Sequence, residues 1–73
     1  MTRMKFERKR REWSLQTLGA LIGMQGAEIS KVERGILVPY PSQRERLARA
    51  LGLDENELLV EVPEDALEVS QVS

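Results

Sequence analysis

Residues 23–35, GMQGAEISKVERG, gather a glutamine, a serine and a lysine (Gln25, Ser30 and Lys31) into one helical period bounded by glycines. Those side chains donate and accept hydrogen bonds, which is the chemistry of recognition rather than of bond breaking. The wider composition agrees. The chain has no histidine, which removes the usual general base and the commonest metal ligand. It has no cysteine, so neither a thiolate metal site nor a disulfide framework is available. Its twelve acidic residues are scattered among eleven Lys and Arg, a pattern of solvated surface rather than of a catalytic carboxylate pair. No phosphate-binding loop or metal-spaced cluster appears. Neither an enzyme nor a metal or cofactor site is expected. The question is whether the 23–35 helix exists only to pack or also presents its outer face to a partner.

Charge is segregated along the chain. Residues 1–49 hold all eleven basic groups and five acidic ones, a net of +6. Residues 50–73 hold seven acidic groups and no basic one, a net of −7, so the overall −1 hides the asymmetry. The pattern points to a polyanion-binding body with an acidic tail. Two ordinary solvated faces, separated along the chain by chance, are the alternative that composition leaves open. Taken alone, the basic run KFERKRREW is such a face.

The elements that position these residues are set by periodicity and punctuation. Met4 to Trp13 reads as a first helix of strong helix formers. Ser14 is a good N-cap for a second, LQTLGALI, which Gly23 ends. A third runs from about Gly26 to Arg34 with Ile29 and Val32 inward; Gln25 caps it, Glu28 answers in an imperfect capping box, and Gly35 terminates it. After the loop ILVPYPS, Pro41 or Ser42 starts a fourth helix with Leu47 and Leu51 at helical spacing, stopped by Gly52. Asp54 caps a short fifth, ENELL, ending near Val60. Five short helices make a compact all-α domain over residues 1–60, with an acidic tail over 61–73. No apolar run is long enough to span a membrane and no signal-peptide pattern opens the chain, so a soluble intracellular protein is expected.

Ser14 to Gly35 has helix-turn-helix spacing: a helix of about eight residues, a glycine-containing turn and a second helix with apolar residues inward. SLQTLGALIGMQGAEISKVERG resembles the Cro/CI-type (Xre) helix-turn-helix domain of phage repressors and bacterial regulators. The match lies in Leu18-Gly19, in Ile22-Gly23 at the turn, and in Ile29 to Gly35, which fits the family's ISKxExG signature. Pro39 and LARALGLDENELL resemble its fourth and fifth helices. The resemblance covers roughly residues 4–60 and implies a five-helix bundle of the lambda-repressor-like type.

It also implies roles. The third helix enters the major groove of double-stranded DNA, with Gln25, Gly26, Ala27, Glu28, Ser30 and Lys31 toward the bases. Lys31 suits guanine O6 and N7, Gln25 adenine or a phosphate, and Ala27 a thymine methyl, while Gly26 clears space. Glu28 suits cytosine N4 or, better, its own helix cap. Phosphate contacts fall to Arg10, Arg11, Gln16, Thr17, Arg34, Tyr40, Ser42 and Arg44. Glu33, the acidic residue of the signature, pairs with Arg8 of the first helix as a structural ion pair. The chain departs from the family at Leu15, where Gln is frequent, at Gly19, where Ala is commoner, and at Glu12, where Gly is frequent.

Leu53, Leu58, Leu59, Val60 and Val62 offer more apolar surface than one short helix buries. They complete the core, form a homodimer interface, or divide between the two. A homodimer reading two half-sites of a palindromic operator is the expected assembly. The tail is a disordered solubilising segment, a strand (Val60 to Val62, with Leu67 to Val69) pairing across the dimer, or an autoinhibitory segment. The function this implies is a cytoplasmic, prokaryotic or phage-encoded transcriptional regulator, with repression preferred because occupying an operator needs only binding. The alternative is a protein-interaction module or antitoxin that uses the scaffold with the acidic tail as effector toward a protein partner.

Overall fold

The computed structural model describes residues 1–65. It holds four α-helices, Arg3–Arg10 (α1), Leu15–Ile22 (α2), Gly26–Glu33 (α3) and Pro41–Leu51 (α4), and a 3₁₀ turn over Glu55–Glu57. The all-α class stands, but the expected fifth helix is only that turn. Its bonds are of the tighter i to i+3 kind, Glu57 N–H to the Asp54 carbonyl at 2.9 Å and Leu58 N–H to Glu55 at 3.4 Å. Leu58 is the reason the helix goes no further. It enters the core at 3% exposure and its carbonyl accepts from Met4 N–H at 2.9 Å, so after one more bond of this kind, Val60 N–H to Glu57 at 3.2 Å, the chain straightens instead of winding on.

That straightened segment closes the molecule. A helix leaves its first N–H groups without intrahelical partners. Here Arg3 N–H donates to the Val60 carbonyl at 2.7 Å and Met4 N–H to Leu58, while Thr2 caps Lys5 N–H through Oγ1 at 3.4 Å. Thr2 and Glu61 form an antiparallel bridge, and Val62 N–H donates to the Met1 carbonyl at 2.8 Å. Backbone pairing with the start of the chain thus continues past Val60, where the acidic tail was expected to begin, as far as Val62. Residues 66–73, including the expected Leu67 to Val69 strand, lie outside the described residues.

The helix ends are set locally. Ser14 Oγ accepts from Thr17 N–H at 3.0 Å, and Gly23 takes the left-handed conformation (φ 78°) that ends α2. One device recurs at three further starts: a side chain three residues on accepts from the first N–H, Glu28 from Gln25, Gln43 from Tyr40 and Glu57 from Asp54. α1 is shorter than expected. It stops at Arg10 because Glu12 adopts positive φ (59°) without being a glycine. The core takes Met4 from α1, Leu18 and Ile22 from α2, Ile29 and Val32 from α3, and Leu47 and Leu51 from α4. Each such side chain contributes about 1.5–3 kcal/mol by leaving water.

Candidate nucleic-acid interface

α2 and α3 approach so closely that side chains are excluded between them. A Cβ on Gly19 would stand 2.3 Å from the Met24 carbonyl oxygen, so glycine is required there, where helix propensity alone would favour alanine. A Cβ on Gly26 would lie 3.2 Å from both the backbone N and Cγ of Gln16. Gly26, expected to clear space for a base, also fits the start of α3 against the start of α2.

Three side chains hold α3 from within: Ile29 (0% exposed), Val32 (1%) and Glu33 (7%). Glu33 meets Arg8 through two parallel hydrogen bonds, so α3 cannot roll about its axis without breaking an ion pair. Its outer face is thereby determined. Ala27, Lys31 and Arg34 are exposed at positions i, i+4 and i+7, and Gln25 stands exposed just before them. Ser30 and Glu28 flank this stripe half-buried, and Glu28 is spent on the Gln25 N–H at 3.0 Å. The Lys31 ammonium has no hydrogen-bond or ion-pair partner among the described residues. Among the described residues Arg34 reaches only the Ser30 carbonyl, at 3.4 Å.

Beside this stripe stand Gln16 and Thr17, exposed in the first turn of α2. Tyr40 (73% exposed) and Ser42 sit at the start of α4. Arg44 is half-buried, with Nε 3.9 Å from a Glu55 carboxylate oxygen. Arg10 and Arg11, nominated for phosphate, are both drawn to Glu7, at 2.7 and 2.6 Å. Arg11 also donates to the Glu7 and Leu51 carbonyls at 3.1 Å each and lies over the Trp13 ring. It ties the end of α1 to the end of α4, a structural role.

A family model for a helix-turn-helix domain matches residues 3–59. The chain belongs to that family. No curated protein and no solved structure matches it significantly. The match agrees with the Cro/CI-type resemblance and makes the chain a domain of the kind DNA-binding regulators use. Among the described residues no helix is long and apolar enough to cross a membrane.

The helix-turn-helix domain contains a buried group that the sequence pattern alone does not single out as such. Glu7 is only 4% exposed and carries Arg3, Arg10 and Arg11 around it. Burial pushes its carboxyl up, but hydrogen bonds from Arg11 and Arg10, and their charges, override this and hold it below the usual range. A signal for the cluster is present, since three arginines at −4, +3 and +4 on one helix surround a glutamate.

The residues nominated for a dimer separate. Leu58 belongs to the core, and Leu53 packs half-buried against it. Val62 is half-buried beside Met1. Leu59 (46%) and Val60 (52%) remain exposed, joined by Ile36 (66%) and Val38 (81%), which the apolar pattern of the C-terminal half leaves out. Val38 and Leu59 border an apolar groove of about 300 Å³ with Leu37, Pro39 and Leu58 at its sides.

Proposed function

We propose that this helix-turn-helix domain binds double-stranded DNA in a sequence-dependent way and regulates transcription, acting as a repressor by occupying its operator. The observation that carries the reading is the Ala27–Lys31–Arg34 stripe: an outward face whose ammonium has no partner among the described residues, on a helix whose inner face is clamped by Glu33 and Arg8. Lys31 donates to guanine in the major groove and Ala27 meets a thymine methyl. Gln16, Thr17, Arg34, Tyr40, Ser42 and Arg44 line up phosphates on either side. Two copies, joined through Val38, Leu59 and Val60, read a palindromic site with half-sites about one helical turn apart.

Selection of bound DNA from a random duplex pool, at two salt concentrations, tests this. The expected result is an enriched palindrome whose affinity falls steeply with salt, because each neutralised phosphate releases counterions. A pool that remains unenriched overturns the reading and leaves generic polyanion binding or a protein-interaction role.

A further inference from the structure

Away from α3, a second part of the surface combines apolar and charged groups. An open groove of about 350 Å³ runs between the C-terminal halves of α2 and α4, lined by Trp13, Leu21, Ile22, Ala50, Arg46 and Arg49. Its floor is apolar: Leu21 is 58% exposed, with Trp13 and Ala50 half-buried beside it. Its rim is cationic. Arg46 reaches the Ile22 carbonyl only at 3.5 Å, and Arg49 pairs with Glu45 in open solvent, a contact that a better-placed carboxylate displaces. No residue of α3 or of the loop after it lines this groove, so the operator reading makes no use of it.

An exposed leucine beside a tryptophan, edged by arginines, fits a short segment in which apolar side chains alternate with carboxylates. The chain carries such a segment. Residues 64–73 read EDALEVSQVS, with Glu64, Asp65 and Glu68 around Leu67 and Val69 and no cation among them. Leu67 comes five residues after Val62, which is pinned at the N-terminal end of α1, whereas Trp13 lies past the C-terminal end of that helix. A neighbouring molecule reaches the groove without the chain doubling back along α1. We propose that residues 64–73 of a second copy dock here, Leu67 and Val69 against Trp13 and Leu21, with the three carboxylates facing Arg46 and Arg49. Two copies exchange these segments reciprocally, and the acidic part of one chain meets the basic part of the other.

Trp13 is the single tryptophan of the chain, so its emission reports the groove directly. In the full chain, Trp13 emission is expected to move to shorter wavelength as concentration rises through the micromolar range. Arg46→Glu with Arg49→Glu removes the cationic rim, and Leu67→Glu with Val69→Glu removes the docking side chains. Each pair should raise the midpoint concentration at least about tenfold, with helical circular dichroism unchanged. Mixing the two variants should restore about half the shift, because one of the two reciprocal contacts is then intact. Wild-type emission that is blue-shifted relative to both variants by the same amount at every concentration overturns the proposal and gives the groove to the chain's own tail. Wild-type emission that matches both variants at every concentration overturns it too and leaves the groove to another protein. A dimer through Val38 and Leu59 does not touch Trp13, so this result and the operator experiment fail independently.

Discussion

Arg8 and Glu33 meet twice, Nε donating to Oε2 at 2.6 Å and Nη2 donating to Oε1 at 3.1 Å, with each residue 7% exposed. The remaining Arg8 nitrogen, Nη1, donates to the Trp13 carbonyl at 2.9 Å. One guanidinium therefore joins α1, the α1–α2 turn and α3. Arg8→Ala or Glu33→Ala leaves the opposite charge buried without its counterion, and each is expected to cost about 3–5 kcal/mol. Arg8→Met combined with Glu33→Leu should recover much of that loss, since neither charge is then buried. Urea unfolding measures all three. A single truncation costing under about 1 kcal/mol would place the pair among ordinary surface contacts.

Glu7 gives the fold a pH dependence of known sign. Its carboxyl titrates lower in the folded chain than in the unfolded one, so the folded state favours the ionised form. That stability is fully present above the unfolded value of about 4.3 and is lost as pH falls through the lower folded value. The melting temperature of the wild type should decline between roughly pH 5 and pH 3. Glu7→Gln should have a shallower acid limb but lie below the wild type at neutral pH by about 1–3 kcal/mol, because the arginines around it lose their carboxylate. Parallel acid limbs would mean that other carboxylates govern the decline.

Gly19 and Glu12 invert the usual expectations for their residue types. Gly19→Ala, which gains about 1 kcal/mol of helix propensity in an open helix, should instead destabilise by about 1–3 kcal/mol or more. The added methyl meets the Met24 carbonyl, which is backbone and cannot swing away. Glu12→Gly should stabilise by about 1 kcal/mol, since glycine holds a φ of 59° without the strain of a side chain. Thermal melts of the two variants are expected to move in opposite directions. A Gly19→Ala variant more stable than the wild type would mean that the α2–α3 turn relaxes.

These contrasts show where the sequence is transparent. Ser14, Gly23, Gln25 and Glu28 act within four residues of themselves, so both helices of the motif are legible from local pattern. The Arg8–Glu33 partnership is legible through the family resemblance, not through spacing, because 25 residues separate the two. The pairing of residues 1–4 with 58–62 has no local signature, since backbone carbonyls of any residue can accept. That pairing is why local pattern overstates the fifth helix and offers Leu58 to a surface. At the candidate site, counting charges marks the basic half of the chain, but not that Arg10 and Arg11 answer Glu7 inside it.

The different fates of the basic residues lead to a graded prediction for DNA. Lys31 is exposed with no partner among the described residues, so Lys31→Ala removes the proposed base contact without disturbing the fold. It should weaken binding to the selected site by about 1–3 kcal/mol and relax preference at one base position. Arg34, bonded among the described residues only to a carbonyl at 3.4 Å, is nearly as free. Arg34→Ala should weaken binding to all sequences alike and lower the salt slope by about one. Arg10 is already committed to a buried carboxylate at 2.7 Å. Arg10→Ala should therefore change DNA affinity less than either, with its effect appearing in the melting temperature. Titrations of labelled duplex at several salt concentrations, run beside thermal melts, separate the three. If Arg10→Ala proves the most damaging to DNA binding, the reading face lies along α1 and not along α3.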